Sequence, residues 1–377
     1  GKYERRDTVT NLFDYLAWRG DLTLSQIPFG NVDSLLLSVL AYVFFDGILW
    51  ESPYRRIPLR LAAEVFLARP KEQQKARVEE DILLLEKLAQ SRRFQNAELC
   101  AYINKLDVTA EKQFSAVTIL LEDETAFLAF RGTDSSLVGW KEDFNMSFME
   151  EVPAQREAEA YLGMIAACFD AKLRLGGHSK GGNLAVYAAA MSPYEVQSRI
   201  LSIYNHDGPG FQRNMLRREG YQRIVSRVHT FLPQSSVVGM LLEHEEAYSV
   251  VKSNQIGIFQ HNPYSWEVLG ADFVCLEALS ERSRFLDRTV KAWLTGLSDE
   301  RREQFVDTIY EALTLAGMEK TGEIVLSPKS VYHTLQILKE EDEETKRMMV
   351  ESLKLLIQAA KETAYMALPR IGQMGKG

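Results

Sequence analysis

Leu173-Arg174-Leu175-Gly176-Gly177-His178-Ser179-Lys180-Gly181-Gly182-Asn183-Leu184-Ala185 is the stretch that decides how this chain folds. A short apolar run leads into it, and the alanine-rich run Lys180 to Met191 continues it with helical spacing. Between the two, Gly177, Ser179 and Gly181 form G-x-S-x-G. In that pattern the serine sits on a sharp strand-to-helix turn in a strained backbone conformation. A Cβ two residues to either side would strike the neighbouring chain, so glycine is required there. The turn lifts the Ser179 hydroxyl clear of the sheet as a nucleophile. It also aims the backbone N–H of Lys180, at a helix N-terminus, toward a developing oxyanion.

Working outward, strands and helices alternate. Residues 114–121 and 125–130 are apolar and β-branched around the polar turn Glu122-Asp123-Glu124, which predicts a β-hairpin. Residues 153–169 read as a helix, 172–175 as a strand, 200–205 as a strand and 211–218 as a short helix. Residues 228–232 and 248–251 read as further strands. This alternation predicts an α/β fold, a parallel sheet covered on both faces. Residues 1–110 read mostly as helices: one starting near Asn31-Val32-Asp33, one over 58–67 and one over 75–89. Beyond residue 275 the strands stop. Residues 277–294, 299–316, 330–339 and 342–367 read as helices, with Ser298 as an N-cap. Three regions result: a mainly helical 1–110 packed on the core, an α/β core over 111–275 and a helical 276–377.

The bulk numbers set the class. The chain has 377 residues, 46% hydrophobic and 25% charged, the balance of a globular protein with a core of roughly 200–250 residues and additions. A net charge of −8 argues against nucleic acid or an anionic membrane as partner. Cys100, Cys168 and Cys275 have no metal or disulfide spacing and read as buried thiols of a reducing, cytoplasmic compartment. The opening residues Gly1 to Asp7 lead into no apolar h-region, so no secretory leader is expected from them. The longest apolar stretch, residues 35–45, is well short of the ~20 residues a membrane span needs and reads as a buried helix.

A second feature closes the strand over 125–130: Phe130-Arg131-Gly132-Thr133-Asp134. In hydrolases with such an elbow, the other oxyanion donor comes from the loop after an earlier strand, and Thr133 offers both an N–H and a hydroxyl there. Together, Arg131-Gly132-Thr133, Trp140, Asp143 and Gly177-His178-Ser179-x-Gly181-Gly182 resemble the class 3 lipases of the α/β-hydrolase superfamily. That resemblance covers about residues 110–265. The opening Asp14-Tyr15-Leu16-Ala17-Trp18-Arg19-Gly20-Asp21 and the later Asp207-Gly208-Pro209-Gly210-Phe211 resemble an uncharacterised bacterial family of lipase-like proteins, over most of the chain. The resemblance implies an α/β-hydrolase fold and serine chemistry, with little information on substrate.

Of six histidines, His178 lies in the elbow and should point away from the nucleophile. His206 precedes a candidate acid, His229 lies in a strand and His333 in the C-terminal helices. His244 and His261 remain. The base of this fold follows the last strand, which favours His261, as the resemblance does. The acid departs from the lipase pattern. After residues 228–232 the chain reads Pro233-Gln234-Ser235-Ser236, without a carboxylate. Asp207 ends the preceding strand, where some lipases of the superfamily carry their acid, and it gives the chain order Ser179, Asp207, His261. Glu243, or no acid at all, stays open. The expected activity is cleavage of an ester-type substrate, a small molecule or lipid, through an acyl-enzyme, with no cofactor or metal. A thioesterase or peptidase on the same triad, and a binding protein without turnover, are the rival readings. Met240, Leu241 and Leu242 would line an acyl pocket, form a lid or pack in the core. Oligomeric state is not readable, since the apolar stripe over 342–367 suits packing or dimerisation equally.

Overall fold

The computed structural model describes residues 10–107, 112–132, 146, 151–234, 236, 247–255, 260–278 and the isolated positions 298, 300, 339, 343 and 347. The expected helices over 277–294, 299–316, 330–339 and 342–367 lie essentially outside these residues. Within them, one nine-stranded sheet organises the chain. Its strands are β1 (Ile57–Pro58), β2 (Glu98–Asp107), β3 (Lys112–Leu120), β4 (Thr125–Phe130), β5 (Lys172–His178), β6 (Ile200–His206), β7 (Val228–Pro233), β8 (Tyr248–Val251) and β11 (Cys275–Leu276). They lie side by side in that order. β1 to β4 pair antiparallel, β4 through β8 pair parallel, and β11 closes antiparallel on β8. β9 (Val268–Leu269) and β10 (Asp272–Phe273) form a separate short ribbon.

The central strands are apolar on both faces because both are covered. All six residues of β4 are buried. Phe127 and Ala129 join one hydrophobic cluster, while Ala126, Leu128 and Phe130 join another. The second cluster includes α5 (Pro153–Cys168), α6 (Lys180–Met191) and α7 (Glu219–Ile224), which flank the parallel strands in sequence. The first cluster draws chiefly on the helices that precede β2: α1 (Leu12–Arg19), α2 (Asn31–Leu40), α3 (Leu59–Leu67) and α4 (Glu79–Gln90). This is an α/β-hydrolase fold in which N-terminal helices supply one of the two covering layers.

α2 is the central helix of that layer. Every residue from Val32 to Leu40 is buried, so its apolar residues run all round. Residues 35–45 thus continue past its end, where Val43 bridges to Ala76. Asp33, in the first turn, faces Arg93 in a bidentate ion pair, Nε to Oδ1 at 2.9 Å and the second nitrogen to Oδ2 at 2.6 Å. Tyr15 donates to the same carboxylate at 2.9 Å. Arg93 also donates to the carbonyls of Leu22, Ile27 and Pro28, at 3.1, 3.0 and 3.2 Å, so it fastens the α1–α2 connection. The opening Asp14–Asp21 motif therefore contributes through Tyr15 to packing.

The structure adds β1 and β2 to a stretch that sequence spacing marks as mostly helical. β2 is irregular: its register slips between Cys100 and Ile103, and Ala101 takes φ 51. A bulge resets the alternation of faces, which erases the period-2 signature. The cysteines are also less uniform than expected: Cys100 is buried, Cys168 half-buried and Cys275 exposed. No helix among the described residues is long and apolar enough to cross a membrane.

Arg93→Met leaves the Asp33 carboxylate buried without its counter-charge. The expected cost is about 3–5 kcal/mol of unfolding free energy, read from urea denaturation. A loss below about 1 kcal/mol would show that the pair does not anchor the layer.

Candidate active site

β5 ends at His178, and Ser179 turns the chain into α6 at φ 61, ψ −135. Such a positive φ on a non-glycine residue costs about 1–3 kcal/mol and marks a conformation the surroundings enforce. A Cβ on Gly177 would overlap the backbone of Gly181, and one on Gly181 would overlap the carbonyl of Phe130 at the end of β4. Ser179 N donates to His206 O at 3.0 Å, tying the turn to β6. Ser179 is 1% exposed. Lys180 opens α6, and its ammonium donates to the Gln113 carbonyl at 3.2 Å.

Beside the elbow lies the end of β4. Gly132 packs so tightly there that a Cβ would overlap His178 O and the Tyr42 hydroxyl and would stand 3.1 Å from the Ser179 Cβ. Arg131 is buried and donates to Ala41 O at 2.6 Å and Val43 O at 3.0 Å, binding this strand end to the end of α2. Its guanidinium lies 4.2 Å above the Phe44 ring. Burial pulls its pKa down. Thr133, the expected oxyanion residue, lies outside the described residues, as do Trp140 and Asp143.

Asp207 follows β6 immediately and takes φ 55. Its N–H donates to Phe231 O on β7 at 2.8 Å. Its side chain is 1% exposed, and Oδ2 lies 2.6 Å from His261 Nδ1. The structure thus brings Asp207 and His261 together. Ser236 donates to the other carboxylate oxygen, Oδ1. The sequence pattern of this fold calls for a carboxylate after β7; Ser236 stands there instead, a hydroxyl that holds the carboxylate following the previous strand. The loop after Asp207 is tied to α6: Asn183 donates to Pro209 O at 2.9 Å and Gly210 O at 3.1 Å. Glu243, His244 and Met240, Leu241 and Leu242 lie outside the described residues.

Two further histidines border the site. His206 is fully buried, with Nδ1 3.0 Å from Gly177 O and Nε2 2.9 Å from the Ser34 hydroxyl. Burial pushes its pKa down to about 3. His178 was expected to point away from the serine. Its ring packs against that of His261, centroids 4.6 Å apart, and its Nε2 lies 2.8 Å from His261 O. A carbonyl can only accept, so Nε2 carries the proton. Burial, and then the neighbouring His261, hold His178 well below the usual histidine range, so the ring is neutral. Its Nδ1 accepts from the Tyr42 hydroxyl at 2.7 Å. His229 stacks on Tyr204 from β7. Among the described residues, no three His, Cys, Asp or Glu side chains group to hold a metal ion.

The family model described as Mbeg1-like matches residues 88–311, more than half the chain. The chain belongs to the Mbeg1-like family. That match runs from the end of α4 across β2 to β11, so it contains Ser179, Asp207 and His261. No curated protein matches the sequence. Among solved structures, the chain is similar to a Rhizomucor miehei lipase–propeptide complex, with 15% identity, TM-score 0.33 and coverage of 48% of this chain and 63% of that one. It is similar to M37 lipase, with 15% identity, TM-score 0.37 and coverage of 63% and 82%. It is also similar to Lip2 lipase from Yarrowia lipolytica, with 12% identity, TM-score 0.35 and coverage of 60% and 86%.

The buried histidines make stability depend on pH. In the unfolded chain both titrate near the ordinary value of about 6.5. Below that pH the unfolded state binds more protons than the folded one, so stability falls as pH falls. Each histidine contributes about 1.4 kcal/mol per pH unit, for His206 down to its folded value of about 3. Urea unfolding of His206→Asn at pH 7 and pH 5 should show a shallower loss than the wild type over that interval. Equal slopes would mean that His206 is not the neutral, buried group described.

Proposed function

We propose that this protein is a serine hydrolase that cleaves an ester-type substrate, a lipid or other acyl ester, with Ser179 as nucleophile, His261 as base and Asp207 as acid. The Asp207–His261 hydrogen bond of 2.6 Å, made beside a strained serine elbow, carries this reading. Asp207 accepts from Nδ1, so a neutral His261 keeps its lone pair on Nε2. That nitrogen takes the Ser179 proton as the oxygen attacks the substrate carbonyl. The imidazolium that forms is stabilised by Asp207 and returns the proton to the leaving alkoxide. Water then attacks the acyl-enzyme, with His261 again as base. The Lys180 N–H and Thr133 are the proposed oxyanion donors. Ser236 holds the carboxylate so that its second oxygen stays on His261.

The choice of acid follows from position. Asp207 is buried and shares its two oxygens between Ser236 and His261, the pattern of an orienting carboxylate rather than a turn cap. The same triad serves thioesters and amides, so the bond type is set by the substrate cleft.

A fluorophosphonate probe should label the wild type covalently, and Ser179→Ala should abolish labelling. Asp207→Asn should lower the labelling rate by about 10³- to 10⁴-fold, because the amide favours the wrong histidine tautomer. Labelling that persists in Ser179→Ala, or none in the wild type, would overturn the reading. A smaller effect comes from Ser236→Ala, about 10-fold in labelling rate, since it frees one carboxylate oxygen and leaves the other in place.

A further inference from the structure

His178 stands between the two proposed reacting groups. It is bonded covalently to Ser179, and its Nε2 donates to the main-chain carbonyl of His261 at 2.8 Å. Its other nitrogen accepts from Tyr42, which lies just past the end of α2. The Tyr42 ring is covered by the Arg77 guanidinium at 4.0 Å. Arg77 forms an ion pair with Asp81 at 3.0 Å, their side chains 4% and 0% exposed. Asp81 Oδ1 accepts from the Tyr264 hydroxyl at 2.7 Å. Tyr264 lies three residues after His261, so the chain of contacts closes on itself. Burial, and then the Asp81 charge, keep the Tyr264 hydroxyl protonated.

The loop is pinned elsewhere too. Trp266 Nε1 donates to Gln260 O at 2.8 Å, just before His261. A buried ion pair is a poor way to gain stability, because desolvation offsets most of the attraction. A polar ring here fixes geometry where apolar packing would have fixed only proximity.

We propose that His178, seated by Tyr42 and braced through Arg77, Asp81 and Tyr264, is a positioning residue that sets the separation of Ser179 and His261. The proposal rests on the hydrolase reading above. It makes Tyr42, Arg77 and Asp81, but not the Tyr15–Asp33 contact, part of the active-site framework. The bond to His261 O holds the base by its own backbone, while Asp207 holds it by the ring. Removing it lets the imidazole drift while the Asp207 bond pivots, and a displacement of about 1 Å costs up to about 100-fold in rate.

The test compares His178→Leu, His178→Gln, Tyr42→Phe and Tyr15→Phe with the wild type, using the fluorophosphonate probe. Glutamine places an N–H donor where Nε2 stands, so it should restore most of what leucine removes. His178→Leu should lower the limiting labelling rate by about 10- to 100-fold at an unchanged half-saturating probe concentration. Tyr42→Phe should lower it by about 3- to 10-fold. Tyr15→Phe removes a buried hydroxyl from Asp33 in the same layer and should lower the melting temperature without changing the labelling rate. If His178→Leu labels as fast as Tyr15→Phe, the proposal is overturned. Proton spectra of ¹⁵N-histidine protein give a readout without turnover. The low-field His261 Nδ1–H resonance should be sharp in the wild type and Tyr15→Phe, and exchange-broadened in His178→Leu and Tyr42→Phe. An unchanged resonance in all four overturns the brace, while absent labelling of the wild type with that pattern intact overturns only the hydrolase reading.

Discussion

Between Gly177 and Gly181 there is no space for a methyl group, and the same is true between Gly181 and the end of β4. Three chain segments therefore meet at backbone contact: the last residues of β5, the first turn of α6 and the Phe130–Gly132 strand end. Ser179 keeps φ 61 because its neighbours leave no alternative. Its N–H is held by His206 O, and its carbonyl accepts from Gly182 N at 2.9 Å. The strain of about 1–3 kcal/mol is small beside the burial around it. Once that crossing is fixed, the ends of β4, β5 and β6 lie at one level; the proposed nucleophile and acid each follow such an end directly, and the proposed base comes from the loop that follows β8.

The two layers over the sheet do different work. On one face, α5, α6 and α7 pack mainly through alanine, leucine and aromatic side chains. On the other, α1 to α4 bring buried ions with them: Asp33 with Arg93, and Asp81 with Arg77. Strand residues reply from beneath, with His206 meeting Ser34, His178 meeting Tyr42 and Arg131 meeting Ala41 O. Apolar contacts alone would let α2 slide along the sheet at little cost. Directional bonds at Ser34, Ala41 and Tyr42 hold it at one register over β5 and β6.

What the sequence revealed follows from how local each signal is. The elbow, β4, β8 and α6 carry their pattern within a dozen residues, and the structure places them as that pattern predicts. Asp207 stood out because it ends a strand in front of Gly-Pro-Gly, although the pattern for this fold looks one strand later. β2 was hidden by the bulge at Ala101, which breaks the alternation on which strand reading depends. Tyr42 and Asp81 were hidden for a different reason. Their partners lie far away in sequence, 136 residues in the case of Tyr42 and His178 and 183 in the case of Asp81 and Tyr264. No spacing rule links such residues. A tyrosine after an apolar helix reads as core until the fold brings a histidine to its hydroxyl.

Three imidazoles converge here, and their surroundings divide the labour. His206 is enclosed between Gly177 O and Ser34 with no counter-charge in contact among the described residues, so a proton there would be a bare buried charge. His178 is equally enclosed, and a second charge on the adjacent His261 ring would add repulsion at 4.6 Å. Only His261 has a carboxylate against one nitrogen and is 21% exposed, open to the solvent side. In the proposed mechanism, a proton released from Ser179 would thus have one compensated seat among the three. The two neutral rings fill space beside it and supply fixed donors and acceptors, without competing for the charge. That division needs all three strand ends at the level the glycine contacts set, because moving β6 outward would wet His206 and let it titrate.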